Sequence, residues 1–399
     1  AMRNRLPIGI AQIGKVGRNE ISPRQGVIRL REFTLMEMEF FIDPREEECP
    51  WFPTVSDEKL LILTKEARLK GGSPECYKVR EAVNEGVIYH KCLAYWMVIG
   101  RKFIEDLGIN PENILFEDKL PDERAHYSSQ TFDQKVKVSR WGWIEVAGHS
   151  YRGDYDLSRH IKYSGKDLRV YKRFEKPVIH RTVKFIANKA AIGRAYRNNA
   201  PFIIRAIEEI GPEKVFRAIE EKGSVEIKGY NITKEMIIKK VIEEKVTGEK
   251  FIPHVIEPSF GTDRIVFVTL EHAYKEKEGR RILSLPREIA PIQVSIFPLI
   301  EREEELRKLA WEIHTILTRE GFTVAYDDSG NIGKRYARSD EIGVPFAVTI
   351  DYTTLDDRTV TVRDRDTWRQ IRVNINRLPR LIRIGLGSKL PLEELVNEI

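Results

Sequence analysis

Residues 17–41 read GRNEISPRQGVIRLREFTLMEMEFF, and this stretch decides the fold. With the preceding IAQIGKV it reads as strand, turn-rich loop and strand, Pro23 and Gly26 supplying the turn. On the second strand Arg29, Phe33 and Glu37 are spaced i, i+4 and i+8 and share one face; on the first, Arg18 and Glu20 share a face. One sheet face then carries two arginines, two carboxylates and an aromatic ring. An ordinary surface hairpin also has a mixed charged face. A ring set between such charges fits a planar, anionic ligand.

Outward from this hairpin, residues 57–107 read as helical, most strongly AVNEGVIYHKCLAYWMVIGRKFIEDLG. There Tyr95, Val98, Ile99, Phe103 and Ile104 keep helical spacing, Gly108 is the stop, and a core helix accounts for the pattern. KVSRWGWIEVAG reads as a strand with Trp141, Trp143 and Glu145 on one face. Glu145 is then either a capped edge residue or a carboxylate held in a site, and pattern does not separate the two. Residues 160–255 are lysine-rich and alternate short strands with helices, as an inserted, solvated subdomain would. IEPSFGTDRIVFVTLEHAY follows. Glu257 and Ser259 share strand parity, Gly261 turns the chain, Thr262 or Asp263 caps a helix, and Arg264 lies in its first turn. This is either one more strand–helix junction or a carboxylate, a hydroxyl and an arginine aimed at one strand end.

A boundary falls near Ser284–Glu288. Beyond it strands and helices alternate: IQVSIFPLI, a helix striped with Leu306, Leu309, Ala310, Ile313, Ile316 and Leu317, FTVAYDD, a helix in SGNIGKRYARSDEIG, VPFAVTIDY and RTVTVRD. WRQIRVNINRLPRLI closes the chain as a helix. The 399 residues allow two or three domains. Apolar residues at 41% and charged residues at 32% exclude a disordered chain. The excess of 67 basic over 61 acidic residues permits an anionic partner. Cys49, Cys76 and Cys92 form no CxxC pair, which excludes a disulfide scaffold or zinc module and fits a reducing cytoplasm. The longest apolar runs, such as Ile296–Ile300, are too short to span a membrane, no signal peptide opens the chain, and Ala1-Met2 reads as an expression scar. The abundance of Glu, Lys and Arg leans thermophilic.

These segments resemble one family. GRNEISPRQGVIRLREFTLMEMEFF is similar to motif 2 of class II aminoacyl-tRNA synthetases in its glycyl form, and EPSFGTDRIVFVTLEHAY to the glycyl version of motif 3. KRYARSDEIGVPFAVTIDY with TVTVRDRDTWRQIRV resembles the anticodon-binding domain of the glycyl, threonyl, prolyl and histidyl enzymes. The resemblance implies an α+β chain: a class II antiparallel sheet with helices (1–159 with motif 2, 256–285 with motif 3), an insertion (160–255), and an α/β anticodon-binding domain (286–399). It implies ATP-dependent activation of glycine, transfer to glycine tRNA, and Mg²⁺.

Residue roles follow from the same likeness. Arg18 resembles the arginine on the α-phosphate of ATP, with Asn19 and Glu20 completing the nucleotide contact. Arg29 and Leu30 lie on the nucleotide side, Phe33 stacks adenine, and Arg264 covers its other face and reaches the γ-phosphate. Glu145, with the Val146 backbone, holds nucleotide and magnesium. Glu37, Glu257, Pro258 and Ser259 resemble the glycine-recognition set. Arg363, Arg365 and Arg369, with Arg372, around an exposed-looking Trp368, are the expected tRNA contacts; taken singly, each is as well read as part of a solvated face salt-bridged with Asp364 and Asp366. The family's motif 1 supplies its homodimer interface; this chain opens almost at motif 2, so a truncated chain is expected, with dimerisation and full activity in question. The rival readings are a non-catalytic protein on the same scaffold, whose relatives lose these site residues, and a synthetase for another amino acid, against which the acidic set and EPSFG argue.

Overall fold

The computed structural model describes residues 5–46 and 48–398, the side chain of His180 excepted; the Ala1-Met2 reading lies outside the described residues. Contacts divide the chain into two compact units, residues 5–164 with 253–398 and residues 165–252. In chain order the first unit begins with strands β1 (Ile8–Gly17), β2 (Glu32–Ile42), β3 (Lys59–Leu63), β4 (Glu75–Lys78), β5 (Ile114–Asp118), β6 (Gln130–Val138) and β7 (Gly142–Gly153), and helices α1 (Lys65–Leu69), α2 (Val79–Asn84), α3 (Lys91–Asp106) and α4 (Tyr155–Ser164). The second unit holds β8 (Val170–Ala187), β9 (Ser224–Ile227), β10 (Tyr230–Thr233) and β11 (Ile237–Phe251). Its helices are α5 (Lys189–Tyr196), α6 (Ala200–Ile210) and α7 (Pro212–Lys222). Strands β8 and β11 form a long antiparallel ribbon, and Ile192, Ile203, Ile207, Phe216 and Ile219 build this unit's own core. Because α4 runs to Ser164, residues 160–164 belong to a helix of the first unit and not to the insertion.

The first unit resumes with β12 (His254–Gly261), α8 (Thr262–Ala273) and the hairpin β13 (Tyr274–Lys277) and β14 (Arg280–Leu283). Its main sheet has the order β1-β2-β12-β7-β6-β5-β3-β4. Every pair is antiparallel except β3 with β5. Strand β12, distant in sequence, is thereby wedged between β2 and β7, which brings the two quoted motifs side by side.

Two sequence expectations change here. Residues 59–63 and 75–78, read as helical, are β3 and β4: Leu60 and Ile62 alternate buried with half-exposed neighbours, a period of two that the helical stretch downstream masked. KVSRWGWIEVAG is a hairpin, with Trp141 in the turn and Gly142 at φ +66°. Trp141 therefore does not share a strand face with Trp143 and Glu145.

Helix α3 lays Leu93, Met97, Val98 and Ile104 into the core beneath this sheet, against Phe116, Phe132, Val136 and Ile256. Each such side chain contributes about 1.5–3 kcal/mol by leaving water. The His90 side chain accepts from the Cys92 N–H to cap its start, and Gly108, at φ +93°, ends it. Gly100 lets the helix approach β7. A Cβ there would lie 2.6 Å from His149 Cε1 and 2.8 Å from Gln134 Oε1. His149 is fully buried and bonded to Gln134 at 2.9 Å, and Gln134 donates to the Gly100 carbonyl at 3.1 Å. Gly100→Ala is expected to destabilise the fold by about 1–3 kcal/mol despite its gain in helix propensity, because His149 has nowhere to move. Urea melts that show the variant equal to or more stable than wild type would refute this packing.

The C-terminal part carries β15 (Val294–Pro298), α9 (Glu304–Arg319), β16 (Val324–Tyr326), α10 (Ile332–Glu341), β17 (Phe346–Ile350), α11 (Tyr352–Asp357), β18 (Thr359–Asp364), β19 (Gln370–Asn374), α12 (Leu378–Leu386) and α13 (Leu392–Leu395). The sheet order is β16-β15-β17-β18-β19, parallel on both sides of β15 and antiparallel thereafter. Ile296, Leu306, Ile313, Phe346, Val348 and Leu381 fill its separate core. WRQIRVNINRLPRLI, read as a helix, begins as β19: Val373 turns inward while Arg372 and Asn374 do not, and the helix starts only at Leu378, ahead of Pro379. Among the described residues no helix is long and apolar enough to cross a membrane.

Candidate active site

Strand register builds the floor of a cleft. Glu37 on β2 lies opposite Ser259 on β12, Ser259 opposite Gly148 on β7, and Gly148 opposite Asp133 on β6. The next row on the same face runs Glu257, Ser150 and Thr131. All of these residues line one cleft of about 250 Å³. The Ser259 hydroxyl stands 3.5 Å from Glu37 Oε1. Gly148 leaves the middle of the row open, since a Cβ there would meet nothing within 4 Å. This end of the cleft is small, acidic and floored by backbone.

The other end is cationic and aromatic. Helix α8 starts directly from β12, so Arg264 turns back over the sheet, donating to the Glu145 carbonyl at 2.8 Å and the Ile28 carbonyl at 2.7 Å. Its guanidinium also stands 3.5 Å from the Glu145 carboxylate. The expected cap by Thr262 or Asp263 is absent: Gly261 is the N-cap, and the Asp263 carboxylate accepts instead from the Thr34 N–H at 2.6 Å, fixing α8 to β2. The Arg18 guanidinium sits 5.1 Å from the Phe33 ring centre, and Arg29 stands 3.8 Å from Glu20.

Behind the acidic end, Arg152 on β7 bonds Glu257 at 2.6 Å and Asp156 on α4 at 2.7 Å, its guanidinium 4.2 Å from the Tyr127 ring centre. Burial pushes the Glu257 carboxyl above its ordinary range; Arg152 pulls it down, and the Glu37 charge pushes it up. Asp133 pairs with Lys119 at 3.1 Å, yet burial, with the neighbouring Glu145 charge, pushes its carboxyl up to about 6.

Most of the residues singled out in the sequence meet here: Arg18, Glu20, Arg29, Leu30, Phe33, Glu37, Glu145, Val146, Glu257, Ser259 and Arg264 all line the cleft. Asn19 and Pro258 do not; Asn19 is exposed, and Pro258 is buried on the opposite strand face. The shared strand face expected for Arg18, Glu20, Arg29, Phe33 and Glu37 is present only in part. Of its residues only Phe33 and Glu37 lie on β2. Strand β1 ends at Gly17, and Arg29 follows a short 3-10 turn, because Gly26 at φ +55° opens a wide loop whose ends close through Arg18 N–H to the Arg31 carbonyl at 2.8 Å. Sequence reasoning missed Lys119, Asp133, Gly148 and Arg152, which become neighbours only through register; the alternation in VAGHSYRGDY is the sole local signal.

The C-terminal arginines require correction. Arg363 and Arg365 are only 4% and 2% exposed. Arg363 forms a bidentate pair with Asp340 at 2.9 and 3.0 Å; Arg365 donates to the carbonyls of Gly343 and Leu285 at 2.8 and 2.6 Å. Neither presents its guanidinium to an RNA, since a buried charge must be spent on such partners. Trp368 is half-buried, with Lys277 Nζ 4.4 Å from its ring centre. Arg369 is exposed and pairs with Glu393 at 3.1 Å, and Arg372 pairs with Asp351 at 2.7 Å.

A family model described as "Anticodon binding domain" matches residues 293–383. A crystal structure of prolyl-tRNA synthetase from Cryptosporidium parvum superposes with a TM-score of 0.51 at 18% identity, covering 98% of this chain and 58% of that one. The antiparallel sheet, its cleft and the C-terminal α/β part thus define a class II aminoacyl-tRNA synthetase fold. The glycine–tRNA ligase of Aeropyrum pernix is 54% identical over 99% of this chain and 68% of its own length; that of Pyrococcus horikoshii is 46% identical over 96% and 67%. The chain belongs to the glycine–tRNA ligase family and spans about two thirds of the length of these two relatives.

Proposed function

We propose that the cleft joins glycine to ATP, giving glycyl-adenylate and pyrophosphate, and passes the glycyl group to the 3′ end of a glycine tRNA in the cytoplasm. The observation that carries this reading is the acidic end itself: Glu37 and Glu257 flank Ser259 around an open floor at Gly148. A ligand with a cationic head and no side chain suits that space. Glycine offers nothing else to grip, so selectivity comes from its ammonium and from the exclusion of larger residues.

In the first step a glycine carboxylate oxygen attacks the α-phosphorus and the bond to pyrophosphate breaks. The nucleophile is already ionised, so no general base is needed; the site must hold two anions together and spread the growing charge. Arg18 and Arg264 supply permanent positive charge, and Phe33 a face for adenine. Among the described residues no three potential ligands gather for a metal. Magnesium on a nucleotide needs only one or two carboxylates beside the phosphate oxygens, and Glu145, at the arginine end, fits that demand. Bound there it would neutralise the leaving pyrophosphate. In the second step a hydroxyl oxygen of the terminal ribose bonds to the glycyl carbonyl carbon, the bond from that carbon to the phosphate oxygen breaks, and AMP departs as the hydroxyl proton is released.

Residues 165–252 contain 20 lysines and arginines against 12 acidic residues, which supports a polyanionic partner, and the C-terminal domain is proposed to read the anticodon. Pyrophosphate exchange with each amino acid in turn tests the proposal: glycine alone should drive exchange above background. Exchange with another amino acid, at a rate equal to or above that with glycine, would overturn it.

A further inference from the structure

We infer that a second, smaller pocket beside the cleft holds one ribose–phosphate unit of an RNA strand, the single-stranded 3′ end of tRNA. This rests on the transfer to tRNA proposed above. The pocket encloses about 120 Å³ where β5 ends and β6 begins, and Asp118, Gln130, Lys65, Arg124 and Tyr89 line it. Lys119 lines both this pocket and the cleft, and its pair with Asp133 at 3.1 Å holds it in the wall they share. Two of the lining side chains are buried, Asp118 at 3% exposure and Gln130 at 7%. Gln130 accepts from the Tyr89 N–H at 2.8 Å and donates to the Val87 carbonyl at 2.8 Å, so the back of the pocket is fixed before any ligand arrives. Arg124 brings a polar atom with nothing to bind: its Nε is buried without a hydrogen-bond partner among the described residues.

These groups select a ligand. With Lys119 spent on Asp133, Lys65 and Arg124 stand against the single carboxylate of Asp118. Lys65 is half-exposed and meets Glu66 only at 3.7 Å. Burial pushes the Asp118 carboxyl up to about 6; Lys65, a hydrogen bond from Gln130 and Arg124 pull it down, and Glu66 pushes it up. At neutral pH it is ionised and only accepts hydrogen bonds. A guanidinium with an unused N–H suits a phosphate oxygen, and a carboxylate suits a hydroxyl. An RNA backbone carries both, phosphate and 2′-hydroxyl, whereas DNA carries only the first. Tyr89 is 65% exposed, its ring in an edge contact with Tyr151 at 5.2 Å, which leaves surface on which a base can stack. The volume favours part of a strand over a free nucleotide: 120 Å³ is well below the roughly 300 Å³ at which pockets enclose a whole small ligand. The shared wall at Lys119 sets this unit next to the cleft in which the terminal ribose must react.

The test uses the full chain, a glycine tRNA transcript and the variants Arg124→Met, Lys65→Met and Asp118→Asn, none of them at a residue that lines the cleft. Arg124→Met should raise the Kd for the transcript about tenfold or more and lower the slope of log affinity against log salt by about 0.7. Glycine-dependent pyrophosphate exchange without tRNA should stay within twofold. Lys65→Met, on the exposed rim, should shift binding in the same direction and supplies the reading should Arg124→Met fail to fold. With a transcript lacking its unpaired 3′ nucleotides, wild type and Arg124→Met should bind alike. Replacing the 2′-hydroxyls of those nucleotides by hydrogen should weaken wild-type binding several-fold and Asp118→Asn binding less than twofold. A folded Arg124→Met chain that binds the intact transcript as wild type does overturns the inference. So does a loss that persists with the shortened transcript, or a deoxy end bound as tightly as the ribose end. A wild-type chain that shows the Arg124 effect on RNA but no exchange with glycine would contradict the reaction proposed for the cleft and leave the pocket standing. Exchange and tRNA binding without an Arg124 effect would do the reverse.

Discussion

Gly148→Leu is expected to cut glycine activation by roughly three orders of magnitude, about 4 kcal/mol, while leaving the fold intact. Gly148 stands in the middle of the row from Glu37 to Asp133, and its missing side chain is the open space between Ser259 and Asp133. Because a Cβ there meets nothing within 4 Å, the leucine enters the cleft without displacing core residues. The effect should grow with size, so Gly148→Ala should lose far less. ATP binding should persist, since Phe33 and Arg264 line the opposite end. Isothermal titration with ATP and exchange kinetics with glycine check both halves. Leucine at this position with a wild-type glycine KM would show that the floor is not where the amino acid lies.

Glu37→Gln should weaken glycine by roughly 2–3 kcal/mol, or about 30- to 150-fold in KM, with ATP changed less than twofold. The substitution keeps the shape and removes only the charge. Among the described residues Glu37 has no arginine behind it, in contrast to Glu257, and the Ser259 hydroxyl stands 3.5 Å from its carboxylate. Its charge is thus free for an ammonium ligand. Equal weakening of glycine and ATP, with an unchanged circular dichroism spectrum, would place Glu37 outside the amino-acid site.

The sequence made the motifs legible and left their meeting to the fold. Phe33, Glu37, Glu257, Ser259 and Arg264 stand out because their spacing and the turn at Gly261 are local facts. That β12 lies between β2 and β7 is not local; it depends on a strand returning after the whole of residues 165–252. Hence Gly148, Asp133 and Arg152, which matter only across that register, carried no signal strong enough to find. The same limit explains the C-terminal arginines. A run of Arg363, Asp364, Arg365 and Asp366 looks like a charged surface, but Asp340, the Gly343 carbonyl and the Leu285 carbonyl, all remote in sequence, take Arg363 and Arg365 inward. Arg18 and Arg29 reached the cleft for a reason other than strand parity: the loop opened by Gly26 carries them there. Strands β3 and β4 were hidden because four or five residues of alternation are a weak pattern beside the sixteen-residue helix α3.

The central claim is that one cleft holds glycine at Glu37 and Glu257 and adenylate at Phe33 and Arg264. The most direct measurement is the affinity of a non-hydrolysable glycyl-adenylate, the glycyl sulfamoyl adenosine, against its alanyl and prolyl counterparts, by calorimetry. The account predicts that the glycyl compound binds at least about 100-fold tighter than either, and that Gly148→Leu removes this preference along with the tight binding. Equal affinity for the three compounds, or glycyl binding that Gly148→Leu does not disturb, would contradict it.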